Sequence, residues 1–265
     1  MLEVKNIVKT FNIGTVNEKK ALQGINLSLE DGDFVTIIGG NGAGKSTLMN
    51  AIAGVWPVDE GQILIEGKDI TKLPEYKRAK FLGRVFQDPM TGTAATMGIE
   101  ENLALAFRRG GRRTLKAGIN NQERRLYEET LAKLGLGLQA RMTSKVGLLS
   151  GGQRQALTLL MATLRRPKLL LLDEHTAALD PKTAKKVLDL TSEIVEEQKL
   201  TAMMVTHNMK DAIHMGNRLI MMHEGRIIYD VAGEEKKKLQ VEDLLRKFEE
   251  ASGEEFANDR MMLAK

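Results

Sequence analysis

The chain has 265 residues, 42% of them hydrophobic and 4% aromatic, and its 39 Lys and Arg against 35 Asp and Glu give a formal net charge of +4. That apolar content supports a substantial core in one large domain or two smaller ones, while the scarce aromatics and interspersed charges argue against a protein that stacks on nucleic-acid bases. Without any cysteine, disulfides and thiolate metal sites are excluded.

The opening segment MLEVKNIVKTF alternates charged and apolar residues, which is the pattern of a strand and not of a secretory leader. No run of about eighteen consecutive apolar residues occurs, so no membrane span is expected and any membrane role is peripheral. ALQGINLSL and QILIEG cluster β-formers between turn signals such as EDGD, and FVTIIG is a short apolar run ending in a glycine-rich loop. From roughly Pro89 to Gln139 the character changes. GIEENLALAFRRG and NQERRLYEETLAKLGL carry amphipathic helical spacing with no strand between them, as in a helical insertion. LLSGGQRQ then opens a helix continued by ALTLLM. LLLLD and TAMMVTH are continuous apolar runs of the kind found in strands buried on both faces, joined by a helix from about Lys182 to Glu197. RLIMMHEGRIIYDVAG reads as a hairpin turning at Glu224 and Gly225, and VEDLLRKFEEAS as a last helix.

The strongest chemical signal is GGNGAGKS at 39–46, which fits GxxxxGK[ST] between a strand and a helix. Gly39, Gly42 and Gly44 let the backbone wrap a phosphate, Lys45 adds a point charge near the β and γ phosphates, and the Ser46 hydroxyl suits Mg²⁺. The plainer alternative is a glycine-rich turn. LLLLDE ends a buried strand in two carboxylates: Asp173 at the position of a metal-holding group, and Glu174 one residue further, as a general base for water. Standing alone, such acids are more often a solvated strand end. Ser150, Gly151 and Gly152 expose backbone N–H groups at a second helix start, which raises the question of whose phosphate they hold.

Together these residues resemble the nucleotide-binding subunits of ABC transporters. The resemblance rests on GGNGAGKST, Gln87 in VFQDP, LSGGQ at Leu149 to Gln153, LLLLDE, the ALD at Ala178 to Asp180, and His207 in VTHN, in the family's order over about residues 1–235. It implies an α/β fold of the P-loop NTPase, ABC ATPase kind: a RecA-like mixed sheet core, an N-terminal antiparallel β subdomain, and a helical insertion subdomain at approximately 89–165. Residues 1–235 would form a single ATPase domain, with 236–265 a C-terminal helical extension. ATP and Mg²⁺ are the implied cofactors. The phosphates would lie on Gly39, Gly40, Asn41, Gly42, Ala43, Gly44, Lys45, Ser46 and Thr47, with Phe11 against the adenine. Ser46, Gln87 and Asp173 would serve the metal, while Glu174, His207 and Gln87 would be catalytic.

The family's pattern also answers the question of the second loop. Two subunits face each other head to tail, and Ser150, Gly151, Gly152 and Gln153 of one close over the triphosphate held by the other. The implied assembly is a homodimer in the ATP-bound state, set on separately encoded permease subunits at the cytoplasmic face of the membrane. It serves uptake with a substrate-binding protein, and no nucleic-acid partner is expected. Apolar residues of IEENLALAF, near Leu103 to Phe107, are expected to dock the permease.

Other readings stand beside these. Phe11 ends an apolar strand and so also fits a core role, Gln87 a plain loop amide, and His207 a structural strand-end histidine. The sequence has DEHTAALD where relatives commonly carry proline after the two acids; His175 removes a backbone restraint on Glu174 and adds a titratable ring, and simple tolerance is favoured over a pH-sensitive role. The basic run RRGGRRTLK at 108–116 is read as a solvated face near the membrane side, and the paired methionines 203/204 and 221/222 as core filling. A nucleic-acid maintenance ATPase is the alternative function, but such relatives carry long coiled coils, zinc cysteines or two cassettes, and a switch GTPase would need an NKxD motif.

Overall fold

The computed structural model describes residues 1–111 and 118–252. In chain order its elements are β1 (Leu2–Phe11), β2 (Lys19–Leu29), β3 (Phe34–Ile38), α1 (Lys45–Ala53), β4 (Glu60–Ile65), β5 (Lys68–Asp69), α2 (Glu75–Arg78) and β6 (Leu82–Val85). Then come α3 (Ile99–Phe107), α4 (Asn121–Lys133), α5 (Gly151–Thr163), β7 (Leu169–Asp173), α6 (Pro181–Gln198) and β8 (Thr201–Val205). The chain continues through α7 (Met209–His214), β9 (Arg218–His223), β10 (Arg226–Ala232), α8 (Gly233–Lys237) and α9 (Val241–Ser252). The described residues form two compact units, one of 1–78 with those from 200 onward and the other of those between 79 and 199.

The first unit holds two sheets. β2, β1, β4 and β5 lie in that order, all antiparallel, with Leu2, Val4 and, past an irregularity in the pairing, Ile7 buried. In the second sheet β10, β9, β3 and β8 lie side by side. β3 runs parallel to β8 and β9, and β10 returns antiparallel to β9. All five residues of β3 and of β8 are buried, which is why these segments read as unbroken apolar runs instead of alternating ones. Met203, Met204, Met221 and Met222 fill this core. α9 lays Leu244 and Phe248 onto Ile38, Met209, Leu219 and Met221.

In the second unit β6 and β7 pair in parallel, and α3, α4 and α5 share a core that includes Ile99, Leu103, Tyr127, Leu131, Leu157 and Leu160. Strand β6 was not expected from the sequence, because LGRV interrupts its apolar pattern with Gly83 and Arg84. Gly83 has a packing cause: a Cβ there would lie 2.6 Å from the Ala162 carbonyl oxygen, so only glycine lets α5 approach.

Two expectations about surfaces need correcting. Within Leu103 to Phe107, Leu103 and Ala104 are buried and Phe107 packs edge-on to Tyr127 with ring centroids 6.2 Å apart, leaving Leu105, 57% exposed, as the apolar residue on the outside. The basic run is not wholly a solvated face either. Arg108 pairs with Glu123 at 3.0 Å, and Arg109 Nη2 donates to the Ala162 and Arg165 carbonyls, both at 3.0 Å; residues 112–116 of that run lie outside the described residues.

Candidate functional site

The glycine-rich loop leaves the carboxyl end of β3 and feeds α1. Gly39 has φ 152° and Gly44 φ 99°, and a Cβ would meet the Met222 carbonyl oxygen at 2.1 Å and the Ala21 carbonyl oxygen at 2.6 Å. Both positions therefore demand glycine for conformation and for space. Gly42 has φ 77° as well. Gly225 N donates to the Ala43 carbonyl at 2.9 Å and Ala43 N to Gly40 O at 3.2 Å, which hold the arc in shape. Lys45 is buried, its Nζ donating to Gly39 O at 2.7 Å and Gly40 O at 3.0 Å. No side chain caps α1, so its first N–H groups and positive dipole end point where an anion is favoured. Asn41 in the loop is exposed, and in that first turn Ser46 is exposed and Thr47 half-buried.

Phe11 ends β1, half-buried, with its ring edge-on to Trp56 at 5.5 Å and the Lys9 ammonium 5.5 Å from its centroid. Directly across the hairpin stands Lys19, whose Nζ would lie 3.0 Å from a Cβ at Gly42. Trp56 and Lys19 escaped the sequence reading; their place beside Phe11 and the loop comes from pairing and packing that no local motif encodes. His207 follows β8, half-buried. Thr206 N donates to Ile37 O at 3.1 Å, which sets the histidine's turn beside the end of β3, where the loop begins.

In the second unit, β7 ends at Asp173 and the chain turns sharply. Glu174 has φ 47°, in the left-handed region that non-glycine residues seldom occupy, not the extended region a following proline would favour. His175 is buried, and its Nε2 lies 3.1 Å from Thr191 Oγ1. Because that hydroxyl donates to Val187 O at 2.7 Å, it accepts from the imidazole, so the proton sits on Nε2. Burial pushes the His175 pKa down to about 4, and the ring is neutral at neutral pH. Arg84 on β6 stands 3.7 Å from Asp173 Oδ2. Gln87, two residues beyond β6, is exposed, and Gln155 Nε2 of α5 donates to the Phe86 carbonyl at 3.3 Å, tying the glutamine's strand end to α5.

That helix begins with a reciprocal capping box. Gln153 N donates to Ser150 Oγ at 3.3 Å and Ser150 N to Gln153 Oε1 at 3.2 Å. Arg141 Nη2 also donates to Gln153 Oε1, at 3.1 Å. Leu149 is the buried anchor, whereas Ser150 and Gly151 are exposed. Gly152 lies against α6, a Cβ there falling 2.2 Å from Thr183 Cγ2. Asp180 caps α6 by accepting from Thr183 N at 3.1 Å, and hydrogen bonds from the Thr183 side chain and then from that backbone N–H lower its pKa. Arg84, Arg141 and Gln155 are further residues that motif spacing did not reveal.

Chemically, the donors of Ser46, Gln87 and Asp173 are a hydroxyl, an amide and a carboxylate, hard oxygens that suit Mg²⁺. Among the described residues no group of three or more His, Asp or Glu gathers as a self-sufficient metal site. No helix among them is long and apolar enough to cross a membrane.

The family model described as ABC transporter matches residues 22–177. The chain is 47% identical over 251 residues, 95% of its length and 100% of the relative's, to the tyrosine transport ATP-binding protein of Clostridioides difficile (strain R20291). It is 34% identical over 237 residues to the phosphonates import ATP-binding protein PhnC of Lactobacillus delbrueckii subsp. bulgaricus, covering 87% of the chain and 89% of the relative. Among solved structures, the dimeric post-hydrolysis state of the ATP-binding cassette MJ0796 bound to ADP and Pi aligns with a TM-score of 0.75 at 29% identity, covering 88% of this chain and 98% of that one.

Proposed function

The chain belongs to the ABC transporter family and is a transport ATPase, and from that premise we propose that it binds two MgATP across a head-to-tail homodimer and powers uptake through a separately encoded permease at the cytoplasmic face of the membrane. Residues 1–235 are the ATPase domain in this reading, with a helical subdomain at about 89–165 and a C-terminal extension from 236. The observation that carries it is the exposed, capped start of α5: Ser150 and Gly151 present donors outward, in a chain that already has a phosphate loop of its own. The relative named for tyrosine transport favours an amino acid as cargo, and the relative named for phosphonates import favours uptake, here with a substrate-binding protein.

The residues divide the work. The N–H groups from Gly39 to Thr47 and the Lys45 ammonium bind the β and γ phosphates, and Phe11 supports the adenine. Ser46, Asp173 and Gln87 would hold Mg²⁺, which would supply charge neutralisation when bound. Glu174 accepts a proton from the attacking water as its oxygen bonds to the γ-phosphorus and the bridging bond to ADP breaks, while His207 and Gln87 orient the γ-phosphate and the water. Ser150 Oγ spends a lone pair on the Gln153 amide, and its O–H remains a donor to the partner's γ-phosphate. Loss of that phosphate lets the dimer open.

The test mixes two inactive variants, Lys45→Ala and Ser150→Arg. If the signature acts across the dimer, a mixed dimer has one site with both lesions and one with neither, so ATPase returns to about a quarter of normal at most under random pairing. If the signature serves its own chain, every site keeps one lesion and mixing rescues nothing. Pairing each variant with wild type controls for obligatory coupling: activity there without rescue between variants refutes the proposal.

A further inference from the structure

Strand alternation and register bring Arg84 to Asp173. The parallel pairing sets Arg84 opposite Leu171, so Arg84 and Phe86 share a face with Leu171 and Asp173. The guanidinium lies over the Phe86 ring with Cζ 4.5 Å from the centroid, and Nη2 is 3.7 Å from Asp173 Oδ2. That separation is too long for a hydrogen bond. The pair is an ionic contact, steered by stacking on Phe86 and not by a bidentate fork. Both side chains are largely covered, 14% and 16% exposed, so water and salt screen the charges less than they would on an open surface. An arginine cannot withdraw its charge by losing a proton.

We propose that Arg84 is a resident counter-ion of Asp173 that competes with the divalent cation, so that this residue sets how strongly nucleotide binding depends on the metal. The inference rests on the reading that Asp173 serves Mg²⁺. A cation approaching the carboxylate meets a positive charge already there and must displace it or bear the repulsion. Arg84 does not touch the nucleotide in this scheme; it acts through Asp173, as a positioning residue that keeps the carboxylate neutralised before loading.

The quantity to measure is the ratio of the dissociation constant in EDTA to that in Mg²⁺, taken calorimetrically on the full chain with a non-hydrolysable ATP analogue. By linkage this ratio reports the metal's contribution to binding. Arg84→Gln is expected to raise it about fivefold, the upper range for exposed ion pairs, and Arg84→Lys, which keeps the charge, to leave it within about twofold of native. Arg84→Met keeps the stem over Phe86 without the charge and is expected to match Arg84→Gln, so one of the two decides even when the other folds poorly. Asp173→Asn should bring the ratio down, and adding Arg84→Gln to it should change nothing more. If Asp173→Asn leaves the ratio at its native value, the metal does not act through Asp173 and the reading beneath the inference fails. If Asp173→Asn lowers the ratio but neutral variants at 84 leave it unchanged or lower it, that reading stands and the competition is refuted.

Discussion

Replacing Arg78 with methionine should unfasten the far end of the helix that carries Lys45. Arg78 is 2% exposed, and its guanidinium donates to four backbone carbonyls: Ala51 at 2.7 Å, Ile52 at 2.8 Å, Thr71 at 2.7 Å and Leu73 at 2.8 Å. Two of these belong to the last turn of α1. Gly54, left-handed at φ 86°, would bring a Cβ to 2.7 Å from Arg78 Nε, so the turn is shaped around the guanidinium. Hydrogen bonds to charged groups contribute about 1.5–3 kcal/mol each, but burying the charge costs several kcal/mol and water refills part of the gap. The net loss for Arg78→Met is therefore about 3–5 kcal/mol, a large share of a domain's ~5–15 kcal/mol stability. Arg78→Lys keeps a charge but not the fork, and should lose less. Urea unfolding followed by the fluorescence of Trp56, the chain's single tryptophan, two residues past Gly54, reads this region directly. Saturating ATP should recover part of the loss by mass action. A loss under about 1 kcal/mol for Arg78→Met would refute the reasoning, since it would mean water serves those carbonyls equally well.

Other outcomes follow from single contacts. Glu174→Gln should spare ATP binding, stall hydrolysis and leave an ATP-bound dimer on size exclusion; a monomer there counts against the base assignment. His175 binds a proton near 6.5 when unfolded and only near 4 when folded, so its contribution is whole above pH 6.5 and is lost as pH falls toward 4. The native chain should lose about 2 kcal/mol more than His175→Gln between pH 7 and pH 5, and equal slopes in urea unfolding would exclude this origin. Gly152→Ala should cost about 1–3 kcal/mol by overpacking against Thr183, and Thr183→Ser, which removes the offending methyl, should restore most of it in the double variant. Leu105→Ser should leave basal ATPase intact and reduce transport in permease-containing vesicles, because its exposed side chain has no role in the local core.

Much of the fold was legible because its strands announce themselves. FVTII, LLLLD and TAMMV are apolar at all but one position each and almost wholly buried, and the hairpin turn at Glu224 and Gly225 was readable from its glycine, both in the left-handed region. β6 was not legible. Its Gly83 is a packing residue that lowers strand propensity, and its Arg84 breaks the apolar run for the sake of a carboxylate on another strand. The burial of Leu103 beside the exposure of Leu105 is likewise a matter of helix phase, which the unbroken apolar run LALAF at the end of α3 leaves open until its neighbours are known.

The candidate site divides along the same line. Motif residues are legible because a phosphate loop or a capping box closes over a few consecutive residues, and the backbone itself is the ligand-binding group: Gly39 and Gly44 could be named from spacing, and the Ser150–Gln153 box from its offset of three. The residues that bias those motifs lie far away in sequence and carry no local signature. Arg78 reaches α1 from another helix, Arg141 reaches Gln153 from the preceding loop, and Arg84 reaches Asp173 through a register between strands separated by the whole helical insertion. Each is a long cation whose stem lies on packed surface while its head meets a fixed oxygen. A sequence pattern therefore identifies where phosphate chemistry is placed, whereas the strength of that chemistry depends on cations that only the folded chain brings within reach. Glu174 shows the same dependence on a smaller scale: its left-handed backbone is compatible with His175 because a buried imidazole can fix the turn through Thr191, without the ring restraint that a proline would add on the residue before it.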